Sequence, residues 1–232
     1  MNQQSQHIPV ITIDGPAGSG KGTISQRVAD QLGWSILDSG ALYRLVGLAA
    51  QRKQIALDDE ASLAFVAQEL DVVFKTNQQG SIEILLEGDD VSLDIRTEEV
   101  GSAASQVATK PSVRAALLER QRRFQTLPGL VADGRDMGTI VFPQAPVKIF
   151  LTASAEIRAE RRLNQLKQQG ISATLRDLIC DIEKRDARDT NRKDAPLIPA
   201  ADALIIDTGK LSIDEVVNEV IFAVKRGLPK AT

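Results

Sequence analysis

Val10-Ile11-Thr12-Ile13, followed by Gly15-Pro16-Ala17-Gly18-Ser19-Gly20-Lys21-Gly22-Thr23, decides the fold of this chain. The first run is short and apolar, as a buried strand is. After the glycines, Ile24, Val28 and Leu32 fall on one face of a helical pattern. Strand, glycine loop and helix in that order make a P-loop. Glycines without Cβ let backbone N–H groups converge on phosphate oxygens; the helix start adds partial positive charge and Lys21 a full one. The nine residues Gly15, Pro16, Ala17, Gly18, Ser19, Gly20, Lys21, Gly22 and Thr23 are therefore expected to hold the polyphosphate of a nucleoside triphosphate or something very close to it. One detail departs from the common form: the residue after Lys21 is Gly22, and the hydroxyl comes one place later at Thr23. An accompanying Mg2+ is then expected to rest mainly on water, phosphates and carboxylates, with Thr23 as a secondary candidate.

Outward from the loop, strand-like and helical segments alternate. Strands are expected at 9–13, 34–37, 129–133, 147–151 and 203–206, with helices at 21–32, 40–52, 154–169 and 212–226. Runs such as Leu130-Val131-Ala132 and Ala203-Leu204-Ile205-Ile206 have the length and continuity of strands covered on both faces. Ser212-Ile213-Asp214-Glu215 is a capping box for the last helix. These patterns predict an α/β fold, a P-loop doubly wound domain with a five-stranded parallel sheet. The rhythm breaks over 55–105. There Asp71-Val72-Val73-Phe74-Lys75 and Ile82-Glu83-Ile84-Leu85-Leu86 flank the polar turn Asn77-Gln78-Gln79-Gly80, which reads as a β-hairpin, with a third short strand near Asp90–Leu93. That stretch is read as a small inserted subdomain.

Composition sets limits on function. With 43% hydrophobic and 25% charged residues the chain has the make-up of a soluble globule. A net charge of −3 gives it no general basic surface, so nucleic acid is not an expected partner. No apolar run nears the roughly 18 residues of a membrane span, and the polar start Met1 to His7 lacks a signal-peptide core. Cys180 is the only cysteine, which excludes an internal disulfide framework and fits a reducing compartment; its helical apolar setting places it in the core. The expectation is a cytoplasmic monomer acting on small molecules.

Two segments give the phosphoryl group a destination. Asp38-Ser39-Gly40-Ala41-Leu42-Tyr43-Arg44 follows the second strand, at the carboxyl edge where such sheets present ligands. Arg44 could grip an acceptor phosphate there; Ser39 could equally be a helix cap. Asp133-Gly134-Arg135-Asp136-Met137-Gly138-Thr139 follows another strand. Asp133, ending a strand beside the P-loop, is the candidate to organise Mg2+ through water. Asp136 would accept from base or ribose donors and Arg135 would reach phosphates; the plainer alternative is a tight turn with a local ion pair. Residues 156–193 carry ten basic residues against seven acids, a balance that a solvated helical surface explains for Lys167 and Arg176. Arg185, Arg188, Asp189 and Arg192, within two turns on one face, suit several phosphate oxygens at once. By contrast, 55–105 holds twelve acids against Lys75 and Arg96, which reads as an acidic solvated surface.

Taken with Ile95-Arg96-Thr97-Glu98-Glu99-Val100, Ala104-Ser105-Gln106-Val107-Ala108, Val113-Arg114 and Arg185-Asp186-Ala187-Arg188-Asp189, these elements resemble the bacterial cytidylate kinase family over nearly the whole chain. The Lys-Gly-Thr form of the loop is shared by nucleoside monophosphate kinases generally, whereas the Asp-Ser-Gly-Ala and Gly-Arg-Asp-Met-Gly-Thr elements are more specific. The resemblance implies ATP-dependent phosphorylation of CMP and dCMP. It also implies a single P-loop kinase domain, with core 8–54, 106–153 and 194–228. Into this are set a monophosphate-binding subdomain of antiparallel β and helix at about 55–105, and a short helical lid with flanking helices at about 154–193. Ser39, Arg44, Ser105, Arg114, Arg135, Asp136, Arg185 and Asp189 would bind CMP. Of these, Ser105, Arg114 and Asp136 would address the cytosine or the nearby polar pocket, Arg44 the phosphate, and Arg185 and Asp189 sugar and phosphate. Lys21, Arg158, Arg162, Arg188 and Arg192 would be catalytic, stabilising charge on the transferred group. The rival readings are a kinase for UMP or AMP, and a P-loop nucleotide switch.

Overall fold

Five of the short apolar runs pair side by side in one parallel sheet, and the remaining strands make a second, antiparallel one. The computed structural model describes residues 8–76, 82–168 and 170–228. In chain order the elements are β1 (Val10–Asp14), α1 (Lys21–Leu32), β2 (Ser35–Asp38), α2 (Ser39–Arg52), α3 (Glu60–Gln68), β3 (Val72–Thr76), β4 (Ile82–Leu86) and β5 (Asp89–Asp90). They continue with α4 (Glu98–Val107), α5 (Pro111–Arg122), β6 (Leu130–Gly134), β7 (Val147–Thr152), α6 (Ala155–Gln168), α7 (Leu175–Thr190), β8 (Leu204–Asp207) and α8 (Ile213–Gly227). The chain divides into two compact units, one formed by residues up to Asp38 and from Gln121 onward, the other by Ser39–Arg120. The 55–105 stretch lies wholly inside the second unit, which also takes in 39–54 and 106–120.

In the first unit the sheet order is β2-β6-β1-β7-β8, all parallel. The P-loop strand β1 is therefore central. Its register places Ile13 beside Asp133, and β2 places Asp38 beside the same residue. The carboxyl edge of the sheet thus gathers Asp38, Asp133 and, one residue further along β1, Asp14. One face of the sheet is apolar: Ile11, Ile13, Val131, Ile149, Leu151 and Ile206 pack under α1 and α8. Helix α1 contributes Ile24, Val28 and Ala29, and α8 contributes Val216, Val217, Val220, Ile221 and Val224. Each of these Val, Leu and Ile side chains stabilises the fold by roughly 1.5–3 kcal/mol relative to exposure, and Ala29 by less. Strand alternation sends Thr12 and Asp14 to the other face, against a single π-helical turn at Met137–Val141.

In the second unit α2 packs on α4, and β3-β4-β5 form a three-stranded antiparallel sheet. The turn Asn77–Gly80 that should join β3 and β4, like His7, lies outside the described residues. The third strand is shorter and earlier than 90–93. Beyond Asp90 the Val91 N–H still donates to Ile84 O at 2.9 Å, but the Ile84 N–H is taken by the Ser92 hydroxyl at 2.9 Å, which donates to Asp90 Oδ1 at 2.5 Å, so a side chain takes the next ladder position. A 3-10 turn at Asp94–Arg96 follows. Helix α3 starts from Asp59, whose carboxylate accepts the Ser62 N–H at 3.1 Å, and α4 starts from Thr97 in the same way through Val100.

Cys180 corrects an expectation: it is exposed on α7 rather than in the core. The reason is that the inward side of α7 is ionic. Asp189 is the one residue of this helix that is fully buried, and Asp186 pairs with Arg158. Helix α8 by contrast follows its pattern closely, and its capping box is complete: Ser212 Oγ accepts the Glu215 N–H while Glu215 Oε2 accepts the Ser212 N–H at 2.8 Å. Replacing Ser212 by Ala should cost about 1 kcal/mol, and a thermal melt should fall by roughly 2–4 °C with nucleotide binding unchanged.

Candidate active site

The loop after β1 is held from behind. Arg158 Nη1 donates to Ala17 O at 3.1 Å, Arg161 Nη1 to Gly18 O at 3.5 Å, and Thr208 Oγ1 to Ser19 O at 3.0 Å. In a planar trans peptide the N–H of the next residue points opposite to its carbonyl. Tying these three carbonyls therefore turns the amides of Gly18, Ser19 and Gly20 the other way, as an anion cradle requires. Gly15 (φ 149°) is needed for contact: a Cβ there would sit 2.1 Å from Leu151 O. Gly20 caps α1 at φ 91° with no side-chain hydrogen bond, and the first helical turn carries no acid. The amides opening α1 are thus left to an anion from outside the helix.

Charge collects at this loop. Lys21 is 6% exposed, and its Nζ donates to Pro16 O at 2.8 Å. Burial, assisted by the positive charge of Arg135, lowers its pKa to about 7, against the pull of Asp133 and Asp14. Burial also raises Asp133 to about 7, opposed by Lys21 and reinforced by Asp38. Asp14 rises to about 7 for the same first reason, even though it accepts two backbone N–H groups. A polyphosphate would supply the counter-charge that Lys21 lacks. Gly22, at the place of the usual hydroxyl, bears on the metal. A Cβ there would lie 3.7 Å from Asp133 Oδ2, so its absence leaves open the space in front of the carboxylate. One carboxylate with room for water and phosphate oxygens suits Mg2+, which keeps much of its hydration. Thr23 is exposed and lines the neighbouring cavity.

That cavity, about 580 Å³, runs from Gly18–Ile24 past Arg161 and Arg162 to Thr208, Leu211 and Ile213. It is large enough for a nucleoside beside its phosphates. Arg135, whose charge is felt at Lys21, donates through Nε to Asp189 Oδ2 at 3.1 Å, and Asp189 O accepts Arg192 Nε at 3.1 Å.

The chain that builds this arrangement has known relatives. The family model described as cytidylate kinase matches residues 11–226. A protein of Colwellia psychrerythraea named cytidylate kinase is 61% identical over 213 residues, 92% of this chain and 94% of the relative. Another of that name from Shewanella sediminis is 55% identical over 98% of this chain and 100% of its own, and one from a Marinomonas species is 58% identical over 93% and 94%. The chain belongs to the cytidylate kinase family.

In this cytidylate kinase family member, Asp136 is 2% exposed and opens the π-helical turn, its carbonyl accepting the Ile140 and Val141 N–H groups. Arg185 is half-buried, and its charge is felt at Lys21. The row expected on one helical face divides. Helix α7 ends at Thr190, so Arg192 leaves it and folds back on Asp189, while Arg188 stands exposed. Arg162 lines the cavity and donates to Gln165 Oε1 at 3.2 Å. Arg158 is 4% exposed and committed to Ala153 O, Ala17 O and Asp186. Arg135 pairs with Asp189 of α7 at 3.1 Å, and its Nη1 donates to Gly134 O at 3.3 Å.

The second unit holds the rest of the expected set. Ser39 is buried at the start of α2. Arg44 donates to Ile95 O at 2.6 Å and Thr97 O at 3.3 Å, lying so close on α4 that a Cβ at Gly101 would meet its guanidinium at 3.1 Å. Arg114 lies over the Tyr43 ring, 5.6 Å from its centroid, and donates to Ala108 O. Ser105 is 4% exposed, and its hydroxyl has no hydrogen-bond partner among the described residues, an unmet group of the kind a ligand satisfies. The sequence reading missed Asp14, Gly101, Arg161, Asp186 and Thr208. Asp14 was available from strand alternation and Asp186 from its place in a quoted motif; nothing local marks Thr208.

The raised Asp133 carboxyl has a testable consequence for the nucleotide-free protein. The folded state keeps a proton that the unfolded state releases, so this group's contribution to stability falls as pH rises from 3.8 to about 7 and is flat above. Asp133→Asn removes that cost. It should melt above the parent by a few degrees, about 2–4 °C per kcal/mol, at pH 7.5, with the gap narrowing toward pH 4, while turnover drops. A variant that melts below the parent at pH 7.5 would contradict the assignment.

Proposed function

We propose that this kinase transfers the γ-phosphoryl group of ATP to the phosphate of CMP and dCMP, giving ADP with CDP or dCDP. The observation that carries the reading is the pairing of an uncapped, carbonyl-tied P-loop with a cytidylate kinase match over 11–226. The loop Gly15 to Thr23 takes the donor phosphates, and the cavity walled by Leu211 and Ile213 takes its nucleoside. In the first unit we assign Asp136 to the cytosine, Arg135 to phosphate, and Arg185 and Asp189 to sugar and phosphate. In the second, Arg44 holds the acceptor phosphate, Ser105 and Arg114 address the base, and Ser39 contributes its hydroxyl. Supporting this, Ser105 is buried with an unmet hydroxyl.

The acceptor oxygen attacks the γ-phosphorus in line, and negative charge spreads over the transferred oxygens. Lys21 leaves Pro16 O and follows that charge, gaining as a full cation what burial withheld. Arg162, Arg188 and Arg192 add positive charge, and Arg158 acts by holding the loop at Ala17 O. No general base is needed, since a phosphate monoester with a second pKa of about 6 is already largely ionised at neutral pH. Asp133, through water, and secondarily Thr23 would hold Mg2+, which when bound neutralises phosphate charge. The single cysteine supports a reducing, cytoplasmic setting, the low net charge supports small nucleotides rather than nucleic acid as partners, and we take the working form to be a monomer. Among the described residues, no helix is long and apolar enough to cross a membrane.

Initial rates with CMP, dCMP, UMP and AMP at equal concentration test the acceptor. CMP and dCMP should lead clearly, and a preference for AMP would overturn the assignment. Lys21→Ala should lower kcat by about 10²–10³ with a smaller change in ATP affinity; unchanged kcat at saturation would refute its role.

A further inference from the structure

Two carboxylates take no part in the assignments above, and each holds a piece of the site remote from it in sequence. Asp14 ends β1, one residue before the P-loop. Its oxygens are spent elsewhere: Oδ1 accepts the Met137 N–H and Oδ2 the Gly138 N–H, both at 2.8 Å. Those are the two amides directly after Asp136. The turn lies flush on β1, since a Cβ at Gly138 would meet Thr12 Oγ1 at 2.8 Å and Asp14 Oδ2 at 3.4 Å. Asp14 is 5% exposed, and burying a carboxylate there is costly. Two charge-assisted bonds to one turn are the visible return.

Asp186 shows the reverse. It sits between Arg185 and Asp189, in the row assigned to the acceptor, yet it forks onto Arg158. Oδ1 accepts Nη1 at 3.0 Å and Oδ2 accepts Nη2 at 2.5 Å. The same Nη1 reaches Ala17 O of the donor loop, and Nε is fixed on Ala153 O at 3.0 Å. Helix α6 presses on the loop here, because a Cβ at Gly18 would lie 3.2 Å from Arg158 Cβ. Without the Asp186 counter-charge, a guanidinium that is 4% exposed would be buried unpaired.

We propose that Asp14 and Asp186 are crossed positioning residues: Asp14, on the donor strand, sets the acceptor turn at Asp136, and Asp186, within the acceptor row, sets the donor loop at Ala17. The inference rests on the assignment of that turn to CMP and of the loop to ATP. Each acid acts through backbone or arginine geometry and touches neither nucleotide.

The test varies both substrates for Asp14→Asn, Asp186→Asn and Asp186→Glu, with melting curves to establish folding. Losing one charge-assisted bond should raise KM for CMP about tenfold in Asp14→Asn, with KM for ATP within about threefold. Asp186→Asn should show the opposite split, and Asp186→Glu should recover part of the ATP affinity because it keeps the counter-charge. Shifts that fall on both substrates equally, on neither, or on the substrate adjacent in sequence would overturn the proposal. Should Asp14→Asn not fold, Gly138→Ala disturbs the same contact with the carboxylate intact and is expected to raise KM for CMP. Failure of the underlying reading looks different: the parent enzyme would then not phosphorylate CMP at all. In that case the crossed pattern is read in direct binding of ATP and of whichever monophosphate is accepted, and the same split decides it.

Discussion

A loop can face a polyphosphate with its amides only if its carbonyls are held somewhere else, and in this protein three side chains do that. Arg158 takes Ala17 O, Arg161 takes Gly18 O and Thr208 takes Ser19 O. The holders come from α6 and from the residue after β8, both far from the loop in sequence. They are themselves anchored. Arg161 Nη2 donates to Thr208 O at 2.7 Å, the Thr208 N–H donates to Thr152 O at 2.8 Å, and Arg158 is clamped by Asp186. The glycine loop is thus one wall of a hydrogen-bonded frame rather than a flexible strap. That frame lets an anion bind without first ordering the backbone, which is where affinity for phosphate is otherwise lost.

Around the frame, charge is kept in a poised and unfavourable state. Lys21, Asp14 and Asp133 are all buried, and desolvation brings each toward a pKa of about 7. A site built for stability would replace such groups with apolar ones. Retaining them costs folding energy, and the beneficiary is the charge that arrives with a nucleotide and moves during transfer. The sheet makes the cluster possible: parallel registry brings Asp38, Asp133 and Ile13 abreast, and the next residue of β1 is Asp14.

Helix α7 shows how the same logic overrides an ordinary pattern. Its apolar periodicity suggested a core cysteine, yet Cys180 is exposed. The helix is seated instead by ion pairs, Asp186 with Arg158 and Asp189 with Arg135. In the second unit the seats are steric. Gly101 has no side chain, so the Arg44 guanidinium can lie against α4 and reach the carbonyls of Ile95 and Thr97.

Sequence alone determined the features whose physics is local. The P-loop, the five parallel strands, the α8 capping box and the candidate residues of the P-loop follow from spacing, periodicity and short motifs, because each needs only residues within a few positions of one another. The expectation that β8 is covered on both faces does not hold, since Leu204 and Ile205 of this edge strand are exposed. The cap at Asp59 and the carboxylate at Asp14 are also legible, one by helix-start chemistry and the other by strand alternation. Tertiary structure decided which partner each charge met. That Asp14 serves the Met137–Gly138 amides, that Arg158 braces Ala17, that Arg192 leaves its helix to fold onto Asp189, and that Thr208 holds Ser19 all depend on contacts between segments distant in the chain. No local pattern encodes such pairings, because a buried ion or amide is satisfied by whatever the folded sheet and helices bring within about 3 Å.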